Sequence, residues 1–262
     1  MRSQIILGVA ASLLTTNPVA AQTIFLGFDT QTPVQMYTTG GALIGPFGQG
    51  GATGSALDGA GHVWTVAPNF GANHIVQYDG SQNVLNSFTA VVDGNWIEDM
   101  AHGSGNTLWA GTYEGNIFNI DATTGAVNSE FAVANSSFTG VAFDGVDLWA
   151  TGGFGNDAIY QYTTGGLLLN TLHTGYNDGG GIGFFGGSLW VGYYDIVRQY
   201  SLTGSLISSF TTPPTAFHDG LEIGLVDGTN AVPEPATLAL LATGLVGVFG
   251  VARRRRNFTS AQ

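Results

Sequence analysis

A closed ring of small antiparallel sheets, a β-propeller, is the fold the sequence predicts, and three observations predict it. Four segments, "ALDGAGHVWTV", "MAHGSGNTLWAG", "VAFDGVDLWATG" and "GFFGGSLWVG", share one pattern: an apolar strand, a Gly-centred turn and a second strand carrying Trp64, Trp109, Trp149 or Trp190. Those tryptophans recur at intervals of 45, 40 and 41 residues, the period of one propeller blade. Composition agrees, because 41 glycines, 9% charged residues and 11% aromatics suit many short strands joined by tight turns. The class is therefore all-β, with five four-stranded blades as the leading arrangement and one transmembrane helix expected near the C-terminus.

The remaining strands of each unit follow in order. "HIVQYDG", "NIFNIDA", "AIYQYTT" and "DIVRQYS" supply third strands, and "NVLNSF", "AVNSEF", "LLLNTL" and "SLISSF" supply fourth strands. Near the start, "TIFLGFD", "PVQMYTTG" and "GALIGPF" form the last three strands of a unit that lacks its first; "GLEIGLVDG" near the end is a first strand with nothing after it. Joined, the fragments make a fifth blade and pair the edges an open sheet would expose. Turns at Gly59, Gly103, Gly145, Gly186 and Gly228 mark the five blades. One tryptophan per blade is expected to pack between neighbouring sheets, and glycine supplies the positive φ that two-residue hairpins need. Trp96, in the "VVDGNWIED" loop, breaks the phase and is the candidate for a surface aromatic contact.

Charge restricts the partners. Outside the two ends the chain keeps only Arg198 and no lysine against seventeen carboxylates, a formal charge of −16. Nucleic acid binding draws its affinity from basic side chains that displace counterions, so such a field excludes it. The absence of cysteine removes disulfides and thiolate metal sites.

The two ends read as addresses. Arg2, the apolar run Ile5 to Leu14 and small residues up to Ala21 have the layout of a secretory signal peptide over 1–21, followed by the repeat domain over 22–230. The tail, 231–257, opens with Val232, Pro233, Glu234 and Pro235, continues as the apolar stretch Ala236 to Ala252, and ends in Arg253, Arg254, Arg255 and Arg256. Seventeen residues at about 1.5 Å each span roughly 25 Å, enough to cross a bilayer core once with the arginines held at the cytoplasmic interface. These three elements, in this order and at the end of the chain, resemble the sorting signal of the PEP-CTERM proteins. The resemblance implies an exosortase that recognises the Pro-Glu-Pro element and removes the tail. It further implies an inner-membrane-anchored precursor in a Gram-negative bacterium, then delivery to the cell surface or extracellular matrix. It covers only the tail and speaks to destination, not to activity.

For chemistry, the loops that enter first strands and those that join second to third strands gather at one end of a propeller. Asp93, Glu98, Asp99, Asp178, Asp219 and Glu222 map near the first set, and Asp29, Glu114, Asp157 and Asp195 to the second. Converging carboxylates suit Ca²⁺, although the same acids also serve as solvated turn residues, and no cofactor is required by the sequence. His62, His74, His102, His173 and His218 share no metal-ligand spacing. Gly181-Ile182-Gly183-Phe184-Phe185-Gly186 matches a dinucleotide-binding pattern in form, but a Trp-bearing strand follows where a helix is needed. The leading expectation is a non-enzymatic exported module binding a surface glycan or protein, with Trp96, Glu98, Asp99, Asp178, His218, Asp219 and Glu222 as candidate contacts. The alternative is an extracellular polysaccharide lyase or hydrolase using His218, Asp219 and Glu222.

Overall fold

The computed structural model describes residues 22–28, 32–48, 50–67, 72–92, 95–134, 140–213 and 217–226. The leader, the Pro-Glu-Pro element, the apolar stretch and the arginines lie outside these residues, as do Asp29, Asp93 and Gly228. Among the described residues no helix is long and apolar enough to cross a membrane. Ala21–Thr229 gather as one compact unit.

The chain opens with β1 (Gln22–Phe28), β2 (Val34–Thr38) and β3 (Leu43–Phe47). The next sheet is β4 (Gly54–Leu57), β5 (Val63–Ala67), β6 (Asn73–Tyr78) and β7 (Val84–Ala90). Then come β8 (Ile97–His102), β9 (Thr107–Thr112), β10 (Asn116–Asp121) and β11 (Val127–Ala132). The fourth set is β12 (Val141–Phe143), β13 (Asp147–Thr151), β14 (Ala158–Thr163) and β15 (Leu168–His173). The last is β16 (Ile182–Phe185), β17 (Ser188–Gly192), β18 (Ile196–Ser201) and β19 (Leu206–Thr211), after which β20 (His218–Leu225) returns to the start.

Hydrogen bonding sorts these strands into five four-stranded antiparallel sheets, the five blades expected, and β20 is the inner strand of the sheet that contains β1, β2 and β3. The closure runs from Gln22↔Leu225 to Phe28↔His218, so the first and last described strands complete one blade. Burial falls outward: β8 and β20 are almost wholly buried, whereas β11 and β19 are almost wholly exposed.

Trp64, Trp109, Trp149 and Trp190 occupy one register position, each opposite a small inner-strand residue: Ala56, Ala101, Ala142 and Gly183. All four are buried and sit in four separate inter-blade cores. A plate of this size removes on the order of 200 Å² from water, worth about 5 kcal/mol before ordering costs. The fifth core replaces tryptophan with Phe25, edge-on to Phe47 at 5.4 Å.

The turn glycines differ in part from expectation. Gly145 and Gly186 carry positive φ, but in the first two hairpins that conformation falls on Gly61 and on Gly105 with Asn106, not on Gly59 or Gly103. Gly103 is needed for space, since a Cβ there would lie 2.8 Å from Trp109 Nε1. Aspartates shape the same turns: Asp58 Oδ1 accepts from the Ala60 and His62 N–H groups, and Asp144 Oδ1 from those of Val146 and Asp147.

Candidate functional site: a plugged channel and two faces

The five inner strands line up in layers along the ring axis. Counted by register, Gly54, Asp99, Gly140, Gly181 and Gly220 form the layer nearest the loops that enter those strands; Ser55, Met100, Val141, Ile182 and Leu221 follow. The third layer is Ala56, Ala101, Ala142, Gly183 and Glu222. Four glycines let the backbones close on one another: a Cβ on Gly181 would lie 2.2 Å from the Gly220 carbonyl carbon, and one on Gly220 would lie 2.4 Å from Gly54 Cα. Thr53 Oγ1 donates to Ile97 O at 2.8 Å and the Gly181 N–H to His218 O at 2.8 Å, tying neighbouring blades together at this end.

Asp99 fills the space the glycines leave. A β-bulge between Ile97 and Asp99 inserts Glu98 as an extra residue and re-aims the following side chain. Its Oδ1 accepts the N–H groups of Met100 (2.9 Å) and Leu221 (3.2 Å), and its Oδ2 those of Val141 (3.2 Å) and Ile182 (3.0 Å). One carboxyl group thus joins the inner strands of four blades. Complete burial pushes its proton affinity well above the ordinary carboxylate range and the nearby Glu222 adds to this, while the N–H bonds pull the other way. Expected among the contacts at a ligand face, Asp99 is instead enclosed and occupied by backbone.

Beyond the plug the channel widens to the opposite face. A funnel of about 330 Å³ is lined by Leu57, Asp58, Ala101, His102, Phe143, Phe184, Phe185, Glu222 and Leu225, mostly the exit ends of inner strands. Glu222, 9% exposed, is the one member of its layer that is not Ala or Gly. Its Oε1 accepts from the Ile223 N–H at 2.8 Å, and its Oε2 from the Leu57 N–H at 3.4 Å. Burial raises its carboxyl from 4.5 to about 8. The folded state therefore holds a proton that the unfolded chain gives up near pH 4.5. This contribution to stability is full below that pH and is lost as pH rises toward 8, a change of a few kcal/mol. Denaturation midpoints measured from pH 5 to about 8.5 should fall for the natural protein relative to Glu222→Gln, whose amide does not titrate. Parallel curves would show that Glu222 ionises freely.

The other predicted residues lie apart. His218 is fully buried, its ring 5.2 Å from that of Phe28 and its Nε2 3.1 Å from Thr212 Oγ1. Burial lowers its imidazole to about 4, so it is neutral over most of the working range. Glu98 and Asp219 are buried too, while Asp178 is exposed and accepts from the Gly155 N–H at 2.6 Å. Trp96 is half-buried rather than an exposed plate. Among the described residues no three of His, Cys, Asp and Glu gather to hold a metal ion. Asp157 binds His173 Nδ1 at 2.8 Å, and Glu114 and Asp195 are exposed.

The loop face carries a feature missed in the sequence. Tyr113, Phe154 and Tyr194 are 50%, 50% and 60% exposed and follow the second strands of three consecutive blades. Tyr113 and Tyr194 lie four residues beyond Trp109 and Trp190, and Phe154 lies five beyond Trp149; the signal stands in "GTYEG", "GGFGN" and "GYYDI". Glu114 and Asp195 directly follow the two tyrosines. Phe154 leans on Phe217, with ring centroids 4.9 Å apart.

These features define the class: a closed five-bladed propeller, sealed near its loop face by glycine and aspartate and open as a funnel on the other. Residues 231–256 match the PEP-CTERM protein-sorting motif, and with it the chain is an exported protein, made as a membrane-anchored precursor and presented to an exosortase. No curated protein matches the chain. Among solved structures, a chain of the mitotic checkpoint complex is similar at 13% identity and a TM-score of 0.47, covering 63% of this chain and 53% of its own. Glutaminyl cyclase of Myxococcus xanthus is similar at 14% identity and a TM-score of 0.49, covering 62% of this chain and 70% of its own. The chain thus spans about half the length of the first of these.

Proposed function

We propose that this exported propeller is a non-catalytic binding module that holds an extracellular glycan on its loop face once it reaches the cell surface. The observation that carries the reading is the exposure of Tyr113 and Tyr194, each four residues beyond the tryptophan of its blade, together with Phe154, five residues beyond Trp149, in the blade between them. Large exposed aromatics in consecutive loops of one face are costly unless covered, and their flat rings match the C–H faces of pyranose sugars. Glu114 and Asp195 beside them accept hydrogen bonds from sugar hydroxyls. His218, the one histidine of the catalytic alternative, is enclosed between blades.

The test is a titration of the exported protein with polysaccharide extracted from the producing cells. Binding is expected, and Tyr113→Ala with Tyr194→Ala should weaken it at least tenfold, about 1.4 kcal/mol, with an unchanged melting temperature. Retained affinity in the folded double variant, or turnover of the polysaccharide by the natural protein, would overturn the reading.

A further inference from the structure

We propose that the funnel on the opposite face binds a small organic cation, a primary ammonium on a short alkyl chain, through the Glu222 carboxylate at its floor and the rings of Phe143, Phe184 and Phe185 around it. This second site is separate from the glycan face and does not depend on it.

The first support is broken symmetry. The layer that reads Ala56, Ala101, Ala142 and Gly183 in four blades reads Glu222 in the fifth, opposite Phe25 where the others place tryptophan. The four small residues show that the fold does not need a carboxyl there. Where a repeat departs from its own rule at an energetic cost, function is the usual reason. Unlike Asp99, which ties four blades together, Glu222 accepts, among the described residues, from its neighbour Ile223 and, at 3.4 Å, from Leu57. Its remaining acceptor capacity is available to a ligand in the cavity.

The second support is charge and surroundings. Burial works against ionisation of Asp58 at the rim, but the N–H groups of His62 and Ala60 and the His62 imidazole, whose Nδ1 lies 2.7 Å from Asp58 Oδ2, outweigh it and keep the carboxyl below its ordinary range. Burial likewise keeps His102 below its usual value, with Asp58 opposing, so the imidazole adds no positive charge at neutral pH. Asp99, two layers above Glu222, brings no positive charge either. The only basic residue of the propeller, Arg198, is committed elsewhere, 3.6 Å above the Tyr176 ring. Among the described residues no Lys or Arg lines the funnel to meet an anion, whereas an ammonium meets carboxylates and three phenyl rings, which attract cations through their negative faces. A volume of about 330 Å³ admits a short alkylamine.

Binding has a definite proton balance. Near pH 7 Glu222 holds a proton; an entering ammonium retains all of its own protons and pairs with the carboxylate, so the Glu222 proton leaves to solvent. The experiment is calorimetric titration of the exported protein with n-butylammonium chloride at about pH 6 and about pH 8.5, in buffers of different ionisation enthalpy. Affinity should rise about tenfold per pH unit and level off near pH 8, with about one proton released per ligand at pH 7. Butanol and butyrate should not compete. Glu222→Gln, which keeps shape and one acceptor oxygen, should lose at least tenfold in affinity at pH 8.5 and the pH dependence with it. Phe185→Leu should weaken binding severalfold while leaving the proton count intact, which keeps the proposal testable if the Gln variant fails to fold. No binding at pH 8.5, binding that ignores pH, or equal binding of butyrate would overturn it.

Discussion

Replacing Asp99 with alanine is expected to destabilise the propeller by on the order of 4 kcal/mol or more. Four backbone N–H groups, from Met100, Val141, Ile182 and Leu221, lose their common acceptor in a closed channel, and each stranded donor costs about 1–3 kcal/mol. Domains of this size hold only about 5–15 kcal/mol in total, so the melting temperature should fall by roughly 10 °C or more. Asp99→Asn keeps one oxygen but turns an NH₂ toward two of the donors, so it should fall between the two. Equilibrium denaturation of the exported variants checks this. An alanine variant within about 1 kcal/mol of the natural protein would mean that water or backbone adjustment satisfies those N–H groups and that the carboxyl is not the hub of the ring.

How much of this was legible differs from residue to residue. The tryptophan period, the split first blade and its closure by "GLEIGLVDG" are read directly from the chain, because a residue packed between sheets recurs once per sheet. Asp99 was visible as an acid near a first strand, but its role depends on the Glu98 bulge, and a one-residue insertion that turns a side chain inward has no period to betray it. Glu222 was displaced for a different reason. Alignment on Gly228 places the turn six residues beyond Glu222, whereas Ala56 lies three residues before Gly59, because β20 is the longest inner strand and no hairpin joins it to β1. Its true layer appears only through pairing with Phe25. The spacing of glycines likewise does not reveal that Gly54, Gly140, Gly181 and Gly220 meet at one level and close that end of the channel. Of the exposed aromatics of the loop face, Tyr113 and Tyr194 keep one offset from the blade tryptophans, but Gly153 stands at that place in the blade between and Phe154 is one residue out of step, which breaks the pattern.

Gly181→Ala is expected to be severely damaging for so small a substitution, because the added carbon would enter the backbone of the closing strand. Its ideal position lies 2.2 Å from both the Gly220 carbonyl carbon and the Leu221 nitrogen, atoms with no rotamer by which to move away. Relief requires β16 and β20 to separate, which lengthens the Leu221 N–H to Asp99 bond and loosens the pairing that seals the ring. Overpacking of this kind costs typically 1–3 kcal/mol where side chains can yield, and here only main chain is present, so about 3 kcal/mol or more is expected. Gly59→Ala is the matched control: the same methyl meets nothing within 4 Å and φ is not positive there, so stability should change by no more than about 0.5 kcal/mol. Thermal and denaturant melts of the two variants side by side decide the matter, and equal effects would show that the glycines serve turn geometry alone and that the inner strands do not meet at the axis.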